Sequence, residues 1–336
     1  MSCRKTGQTL FFEKEINITS AASFAGKKEG EGPLSKYFDF VSDDDMFGES
    51  TWEKAESKFV KLAFEKAVEK DGSKLSDLDY IVCGDLLNQC SGTVFGTRDM
   101  NVPYFGVYGA CSTFGESITL GSILIECGCG KKILAGTSSH FCSAEKQFRF
   151  PLALGNQRPL SSTWTVTGSG AVILTENGKG PKIECITTGK IIDMGITDAS
   201  NMGAAMAGAT VDTIVSHFKD TGRDLQYYDV VATGDLGYVG RDILIKYLEE
   251  NGYECGENLT DCGIEIFDRE KQDTHSGGSG CACSALTYCG YFHKKLLDGD
   301  IKRMLIVPTG AMMSSTSGKQ GESIPSIAYA ISIERQ

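Results

Sequence analysis

Cys111 is the side chain of this sequence that is best placed to do chemistry. It lies in the run Gly109-Ala110-Cys111-Ser112-Thr113, called the cysteine turn below, between a strand-like segment at 103–108 and a helix-like segment at 117–125. A thiol at a helix start faces unpaired backbone N–H groups and the positive end of the helix dipole, and both favour the thiolate. The sequence therefore predicts a nucleophilic cysteine. The alternative is a cysteine that only lines a pocket.

A second candidate is the glycine-rich segment at 273–280, called the histidine loop below. It contains His275, Gly277, Gly278 and Ser279. Glycines let a backbone approach a ligand closely, and the helix start that follows can receive an anion. We expect His275 to face Cys111 and to hold it as a thiolate through an ion pair. The alternative is a loop histidine that makes one backbone hydrogen bond.

Five further side chains are candidates for the same site. Arg149 and Arg158 belong to a segment rich in aromatic and proline residues, and a guanidinium there could clamp a carboxylate through two hydrogen bonds. Thr309 and Ser314 follow a buried strand, so we expect their hydroxyls at the carboxyl end of a sheet, where α/β folds bind ligands. His140 follows another predicted strand and is placed near the site. The alternatives are a solvated charged loop and a plain turn.

The remaining histidines and the paired cysteines give weaker indications. His217 falls within a predicted helix and His293 near a helix end, so both are expected to be surface or capping residues. The cysteine pairs at 127–129 and 281–283 have one residue between them, which is not the spacing of a zinc site. We therefore expect no metal site.

The elements that position these residues are duplicated along the chain. The segment Gly72–Leu86 matches Gly222–Leu236 at a constant offset of 150, and an amphipathic helix precedes each copy. A later strand match, at 131–135 and 302–306, has an offset of 171, which indicates an insertion that we place at 249–259. Buried strands alternate with helices, so we expect an α/β protein with two equivalent halves at 1–176 and 177–336 that share a core.

Composition excludes several classes of function. The 336 residues carry a net charge of −11 and no extended basic cluster, which argues against a nucleic-acid-binding protein. No window approaches the roughly 20 apolar residues of a membrane span, and the first residues do not read as an export signal. The thirteen cysteines are expected to be mostly reduced and buried, as in a cytoplasmic protein.

Two fused α/β halves, a cysteine turn and a histidine–glycine loop together resemble the thiolase superfamily, which includes thiolases and ketoacyl synthases. The resemblance implies a thiolase-like fold with mixed five-stranded sheets in an α-β-α-β-α arrangement, a homodimer, and acylation of Cys111 by a thioester. The chain departs from the enzymes at two places. The segment Gly234–Tyr238 has no histidine where the synthases carry one, and Pro308–Ala311 has no cysteine where thiolases carry their second. These departures put condensing chemistry in doubt.

Six separated motifs resemble a narrower group, the stage V sporulation protein AD family of spore-forming bacteria. The motifs are Gly109–Thr113, Glu145–Pro151, Trp164–Gly168, Asp273–His275, Gly277–Cys281 and Gln320–Pro325.

This resemblance implies non-catalytic binding of dipicolinic acid (pyridine-2,6-dicarboxylate) for its uptake into the developing spore. It also implies membrane-protein partners from the same transport complex and a cytoplasmic location at the forespore membrane. It adds Trp164 to the expected site, and it implies no cofactor, with calcium present only as part of the ligand. The alternative function is acyl transfer or condensation through an acyl-Cys111 intermediate.

Overall fold

The computed structural model describes residues 4–148 and 158–336, which form a mixed α/β structure. The strands are β1 (Arg4–Thr6), β2 (Thr9–Ala25), β3 (Phe40–Val41), β4 (Tyr80–Gly84), β5 (Tyr104–Gly106), β6 (Lys132–Ser139), β7 (Trp164–Thr165), β8 (Gly168–Glu176), β9 (Lys182–Thr188), β10 (Val230–Thr233), β11 (Leu259–Asp261), β12 (Gly278–Ser279), β13 (Arg303–Val307), β14 (Thr309–Ala311) and β15 (Ser326–Glu334). The α-helices are α1 (Lys27–Gly30), α2 (Trp52–Lys70), α3 (Ser91–Thr97), α4 (Thr113–Glu126), α5 (Phe141–Phe148), α6 (Met202–Thr221), α7 (Gly237–Glu250), α8 (Cys262–Glu265), α9 (Cys281–Leu286), α10 (His293–Asp298) and α11 (Ser315–Lys319).

Ten strands form one continuous ladder with a symmetrical order. The order is β11-β10-β13-β15-β9-β2-β8-β6-β4-β5, so five strands belong to each half of the chain. In each half four strands run in one direction and one strand, β8 or β15, runs antiparallel to them, so each sheet is mixed as expected. The two halves meet where β2 pairs antiparallel with β9, and this pairing joins them into one sheet.

Three hydrophobic cores show how the layers stack. In β6, Ile133 and Ala135 belong to a central core, whereas Leu134 belongs to an outer core with Phe64 of α2. The strands of the second half alternate in the same way between the central core and an outer core under α6. Helices α4, α9 and α10 fill the centre. Both faces of the strands are therefore buried, which is why their sequences are nearly all apolar.

The insertion in the second half lies elsewhere than the sequence indicated. Ile81 pairs with Tyr104 in the first half and Val231 with Leu259 in the second, so the offset at β11 is 155 (259 minus 104). The segment at 249–259 thus accounts for only five extra residues. The other sixteen (171 minus 155) lie between β11 and β13, in the stretch that contains the histidine loop.

Two histidines that were expected at the surface are buried instead. His217 is fully buried, with Nε2 2.6 Å from the hydroxyl of Tyr228 and Nδ1 2.7 Å from the hydroxyl of Thr187. His293 is also buried, on the central helix run, and burial lowers the pKa of both imidazoles. Helical spacing alone placed these residues on a helix but could not tell which face another element covers.

Candidate functional site

The cysteine turn has the geometry of a sharp junction between a strand and a helix. Ala110 has a positive φ of 50°, and a short 3-10 turn at Ala110–Ser112 leads directly into α4. Local hydroxyls fix this conformation: Ser112 Oγ donates to the carbonyl of Gly109 at 2.6 Å, and Thr113 Oγ1 donates to that of Ala110 at 2.6 Å. The expected placement of Cys111 at a helix start is therefore correct.

The expected ionisation of Cys111 is wrong. Burial of the thiol, followed by the neighbouring carboxylate of Asp235, raises its pKa well above the usual value. The Sγ atom lies 3.8 Å from Ser279 Oγ, and this hydroxyl donates to Asp235 Oδ2 at 2.9 Å. A negative neighbour and low solvation both oppose formation of the thiolate, and they outweigh the favourable helix start.

Asp235 is the functional residue that sequence reasoning missed. It is 1% exposed, and its Oδ2 accepts hydrogen bonds from Ser279 Oγ and from the backbone N–H of Gly280, both at 2.9 Å. Burial raises its pKa to about 7, and the nearby Asp261 adds to the rise. The Gly-Asp-Leu triplet that recurs at 84–86 and 234–236 is the local signal that points to Asp235.

A pocket of about 550 Å³, counted with its mouth, opens above Cys111 and is called the Cys111 pocket. Its lining combines aromatic, thioether, hydroxyl and carboxylate side chains with small residues. The lining residues are Leu86, Tyr108, Ala110, Cys111, Ala144, Glu145, Phe148, Thr163, Thr165, Met202, Ser279, Gly280, Ala311 and Met313. Within the described residues this lining holds no lysine or arginine, so the cationic clamp that the sequence suggested is not part of it.

His275 is not brought to Cys111. Its Nδ1 lies 2.9 Å from the carbonyl oxygen of Pro159 and its Nε2 2.9 Å from Asp273 Oδ1. Both ring nitrogens are therefore occupied outside the Cys111 pocket, and the expected ion pair with the thiol is wrong. The histidine loop reaches the pocket through Ser279, which lies only four residues further along the chain.

The short strands β12 and β7 place their neighbouring residues on opposite sides of the backbone. Gly278 and Ser279 form β12, which pairs in parallel with Trp164 and Thr165 of β7. Thr165 lines the Cys111 pocket, whereas the ring of Trp164 stacks on Phe141 with centroids 3.7 Å apart. Neighbouring residues of a strand point to opposite sides, so only one of each pair can face the pocket.

The expected arginines have other positions. Arg158 stacks 4.8 Å from the centroid of Trp164 and bonds to Asp273, with its Nη2 2.7 Å from the backbone oxygen and 3.1 Å from Oδ2. It thus supports the histidine loop from outside the Cys111 pocket. Arg149 lies outside the described residues, and so do the residues that follow it up to 157.

Three other predicted residues do not line the Cys111 pocket. Thr309 is buried and lies 3.0 Å from the hydroxyl of Thr210 on α6. Ser314 is exposed, and its hydroxyl caps the N-terminus of α11. His140 is buried, with Nε2 2.7 Å from the backbone oxygen of Asp45. Gly277, which has a φ of 110°, serves the turn of the histidine loop and is not a lining residue either.

A metal site requires several ligating side chains close together. In the described part of the chain, no group of three or more His, Cys, Asp or Glu side chains is arranged to hold a metal ion. The twelve cysteines at 4–148 and 158–336 are free thiols, and seven of them are buried. Across the same ranges no helix is both long enough and apolar enough to cross a membrane.

The fold is that of the thiolase-like condensing enzymes. The chain superposes on 3-oxoacyl-[acyl-carrier-protein] synthase III from Aquifex aeolicus with a TM-score of 0.59 and 12% identity, covering 95% of this chain and 99% of that one. Cerulenin-bound OleA from Xanthomonas campestris gives a TM-score of 0.61 and 12% identity, with 98% and 99% covered. At this identity the similarity concerns the fold alone.

The sequence relationship is much closer to a sporulation protein. Residues 6–334 match the family model described as Stage V sporulation protein AD (SpoVAD). The chain is also 42% identical over 328 residues to Stage V sporulation protein AD of Bacillus subtilis strain 168, covering 98% of this chain and 97% of that protein. This chain therefore belongs to the stage V sporulation protein AD family, and its role lies in sporulation.

Proposed function

We propose that this protein binds dipicolinic acid in the Cys111 pocket without converting it. One observation carries the proposal: the thiol that a condensing enzyme would acylate lines the pocket beside Asp235, and low solvation first and this neighbouring carboxyl second raise its pKa. An acyl-transferring cysteine requires the opposite, a lowered pKa or an adjacent base. The pocket is kept while the means of activating its cysteine is absent from the described residues around it.

The lining of the Cys111 pocket supports a small aromatic ligand. Tyr108 and Phe148 offer aromatic surface, and the hydroxyls of Thr163 and Thr165 offer hydrogen-bond donors to carboxylates. Family membership supports the choice of dipicolinic acid among such ligands.

The charge of the pocket bears on the form of the ligand. Glu145 is part of the lining, and Asp235 lies directly behind it. A free dianion would meet these carboxylates, whereas the calcium chelate of dipicolinate carries no net charge. Titrations with and without calcium therefore belong to the same experiment.

Isothermal titration calorimetry with dipicolinate tests the proposal. We expect saturable binding, and weaker binding of isophthalate, which has the same two carboxylates but no ring nitrogen. Tyr108→Ala, inside the pocket, should lose about tenfold or more in affinity, because a buried aromatic contact contributes about 1–3 kcal/mol. Tyr247→Ala, on α7 and outside the lining, is the matched control. Absence of heat and of competition at millimolar dipicolinate would overturn the proposal.

Acyl transfer is distinguished by a separate measurement. The protein is incubated with a series of acyl-CoA thioesters and its intact mass is recorded. We expect an unmodified mass, because the raised pKa of Cys111 leaves little thiolate at neutral pH. An acyl adduct that is lost in Cys111→Ala would refute the non-catalytic interpretation.

We also propose a homodimer formed through the edge strand β5. In the described residues β5 pairs only with β4, so its outer backbone edge is open to another strand. Three large apolar side chains of β5 and of α3 are exposed: Phe105 at 46% on β5, and Val94 at 41% and Phe95 at 58% on α3. A second copy could add its own β5 across a twofold axis and cover them.

Membrane proteins of the same spore transport complex are proposed as partners, with this protein at the cytoplasmic side of the forespore membrane. Family membership is the support for both. Affinity purification of the tagged protein from detergent-solubilised sporulating cells should recover these partners. Recovery of the protein alone, with all of it in the fraction that does not sediment with membranes, would contradict the proposal.

A further inference from the structure

Asp235 lies directly behind the lining of the Cys111 pocket, and one of its two carboxyl oxygens has no hydrogen-bond partner among the described residues. Its Oδ2 is satisfied by Ser279 Oγ and by the N–H of Gly280, both of which belong to the lining. Its Oδ1 is fully buried and has no hydrogen-bond partner in the described part of the chain. A buried carboxylate oxygen without a donor is costly, whereas a protonated oxygen carries its own hydrogen and can donate it.

Hydrogen bonds from the Cys111 thiol, Gly280 and Ser279 lower the pKa of Asp235, but they do not offset the effect of its burial. Cys111 faces it from the cysteine turn, Cys283 from α9, Asp261 from the end of β11 and Cys262 from the start of α8. No lysine, arginine or histidine is among the groups that influence the pKa of Asp235 most strongly. The pKa of Asp235 is raised to about 7, chiefly by burial and further by Asp261.

Asp261 cannot take over the role of proton acceptor as readily. Its two oxygens accept four hydrogen bonds, from the hydroxyl of Thr233 at 2.6 Å and from the backbone N–H groups of Leu236, Gly237 and Gly263 at 2.8–3.0 Å. Burial raises the pKa of Asp261 as well, but these four donors stabilise its ionised form and oppose that rise. The proton of this pair of carboxyls therefore belongs on Asp235, on the side of the ligand pocket.

We propose that Asp235 couples ligand binding to proton uptake: a dicarboxylate enters the Cys111 pocket together with one proton, which resides on the Asp235 carboxyl. This inference rests on the function proposed above and adds a regulatory property to it. The entering dianion adds a second negative field to that of Asp261, so the protonated form of Asp235 is favoured further in the complex. Affinity should then be high in mildly acidic solution and fall as the pH rises.

Calorimetry in buffers of different ionisation enthalpy counts the protons. The heat of binding is compared between phosphate and Tris at pH 8, and between phosphate and a cationic buffer at pH 6. Dipicolinate is a dianion at both pH values. We expect uptake of close to one proton at pH 8, where Asp235 is mostly ionised in the free protein, and close to none at pH 6. The dissociation constant should rise about tenfold per pH unit above about pH 7.

Two variants locate the proton. Asp235→Asn keeps the shape and removes the titration, so binding should become independent of pH and of the buffer. Glu29→Gln replaces another buried carboxyl, outside the pocket lining, whose pKa is raised to about 8, and it should keep the proton coupling unchanged. Circular dichroism checks that both variants are folded; if Asp235→Asn is not, the proton count of the unmodified protein decides.

The outcomes separate this inference from the function on which it rests. Saturable binding at pH 8 with the same heat in both buffers overturns the inference and leaves the binding function intact. Proton uptake that persists in Asp235→Asn also overturns it. Absence of binding at pH 6 and at pH 8 overturns both.

Discussion

Gly310 supports the cysteine turn from behind, and Gly310→Ala should displace it. Gly310 lies in β14, and a Cβ atom added there would be 1.9 Å from the carbonyl oxygen of Gly109. It would also be 3.0 Å from the backbone nitrogen and from the hydroxyl of Ser112. The contact is with backbone, which cannot swing away like a side chain. The residue next to Gly310, Ala311, lines the Cys111 pocket.

The size of the displacement follows from these distances. Real Cβ atoms essentially never approach another heavy atom to within 3.0 Å, so the turn must move by at least about 1.1 Å (3.0 minus 1.9). Overpacking of this kind costs about 1–3 kcal/mol. For a chain of this length the entropy of unfolding is about 0.7 kcal/mol per kelvin, so the melting temperature should fall by only about 1–4 °C. The protein should therefore remain folded.

The consequence for the site is larger than that for stability. A shift of about 1 Å should separate Cys111 from Ser279 and increase the solvent exposure of its partly exposed thiol. Affinity for dipicolinate should fall about tenfold or more, since loss of one good contact of about 1.4 kcal/mol has this effect. The rate at which iodoacetamide alkylates Cys111 should rise, because burial is the main reason for the raised pKa of the thiol.

Calorimetry and peptide mass spectrometry measure these two effects. Cys127 and Cys129 are exposed and serve as internal references for alkylation. Gly318→Ala is the matched control, because a Cβ at that position on α11 would meet nothing within 4 Å. If Gly310→Ala binds dipicolinate and reacts with iodoacetamide as Gly318→Ala does, the close packing of β14 against the cysteine turn does not position the site.

Three further predictions concern stability and assembly. Burial raises the pKa of Glu29 to about 8, above its unfolded value of 4.5, so the folded protein binds the extra proton and stability must fall as the pH rises between these values. Glu29→Gln should remove a slope of about 1.4 kcal/mol per pH unit from urea unfolding curves at pH 5.5–7.5; identical slopes would show that the carboxyl is not buried as described. Arg223 makes two hydrogen bonds to Glu184, at 3.0 and 3.1 Å. Arg223→Ala should therefore lower the free energy of unfolding, measured by chemical denaturation, by about 2–3 kcal/mol. A decrease below about 0.5 kcal/mol would count against a structural role of this pair. Phe105→Lys should convert the proposed dimer to a monomer in light scattering, since it places a charge at the apolar edge of β5; an unchanged mass would place the interface elsewhere.

Much of the fold could be read from local sequence. The strand at 80–84 and its copy at 230–233 are nearly all apolar because both faces are covered, and this pattern indicates a buried parallel strand without any structure. The helix that precedes each copy was recognisable from its 3.6-residue periodicity. The position of the insertion was not, because the sixteen extra residues form a loop whose sequence has no periodicity to align.

The candidate site was predicted only in part. The cysteine turn was found because glycine and small residues between a strand and a helix are a local signature. Ser279 of the histidine loop lies in the site as expected. His275 was expected to contact Cys111, and it does not. A side chain in a loop can turn to either side of its backbone, and only the neighbouring elements decide which. The carbonyl of Pro159 and the carboxylate of Asp273 hold the ring elsewhere.

By itself the sequence determined the duplicated α/β architecture, the family, and the presence of a cysteine at a helix start, because each depends on residue types at fixed spacing along the chain. Only the tertiary structure decided how that cysteine behaves. Asp235 follows Cys111 by more than a hundred residues, and elements of both halves together bury Asp235 and restrict the solvation of Cys111. The pKa of a side chain depends on its distance from other charged groups and on its solvation. Only the folded structure therefore shows that Cys111 is a protonated thiol beside a carboxyl and not the expected thiolate.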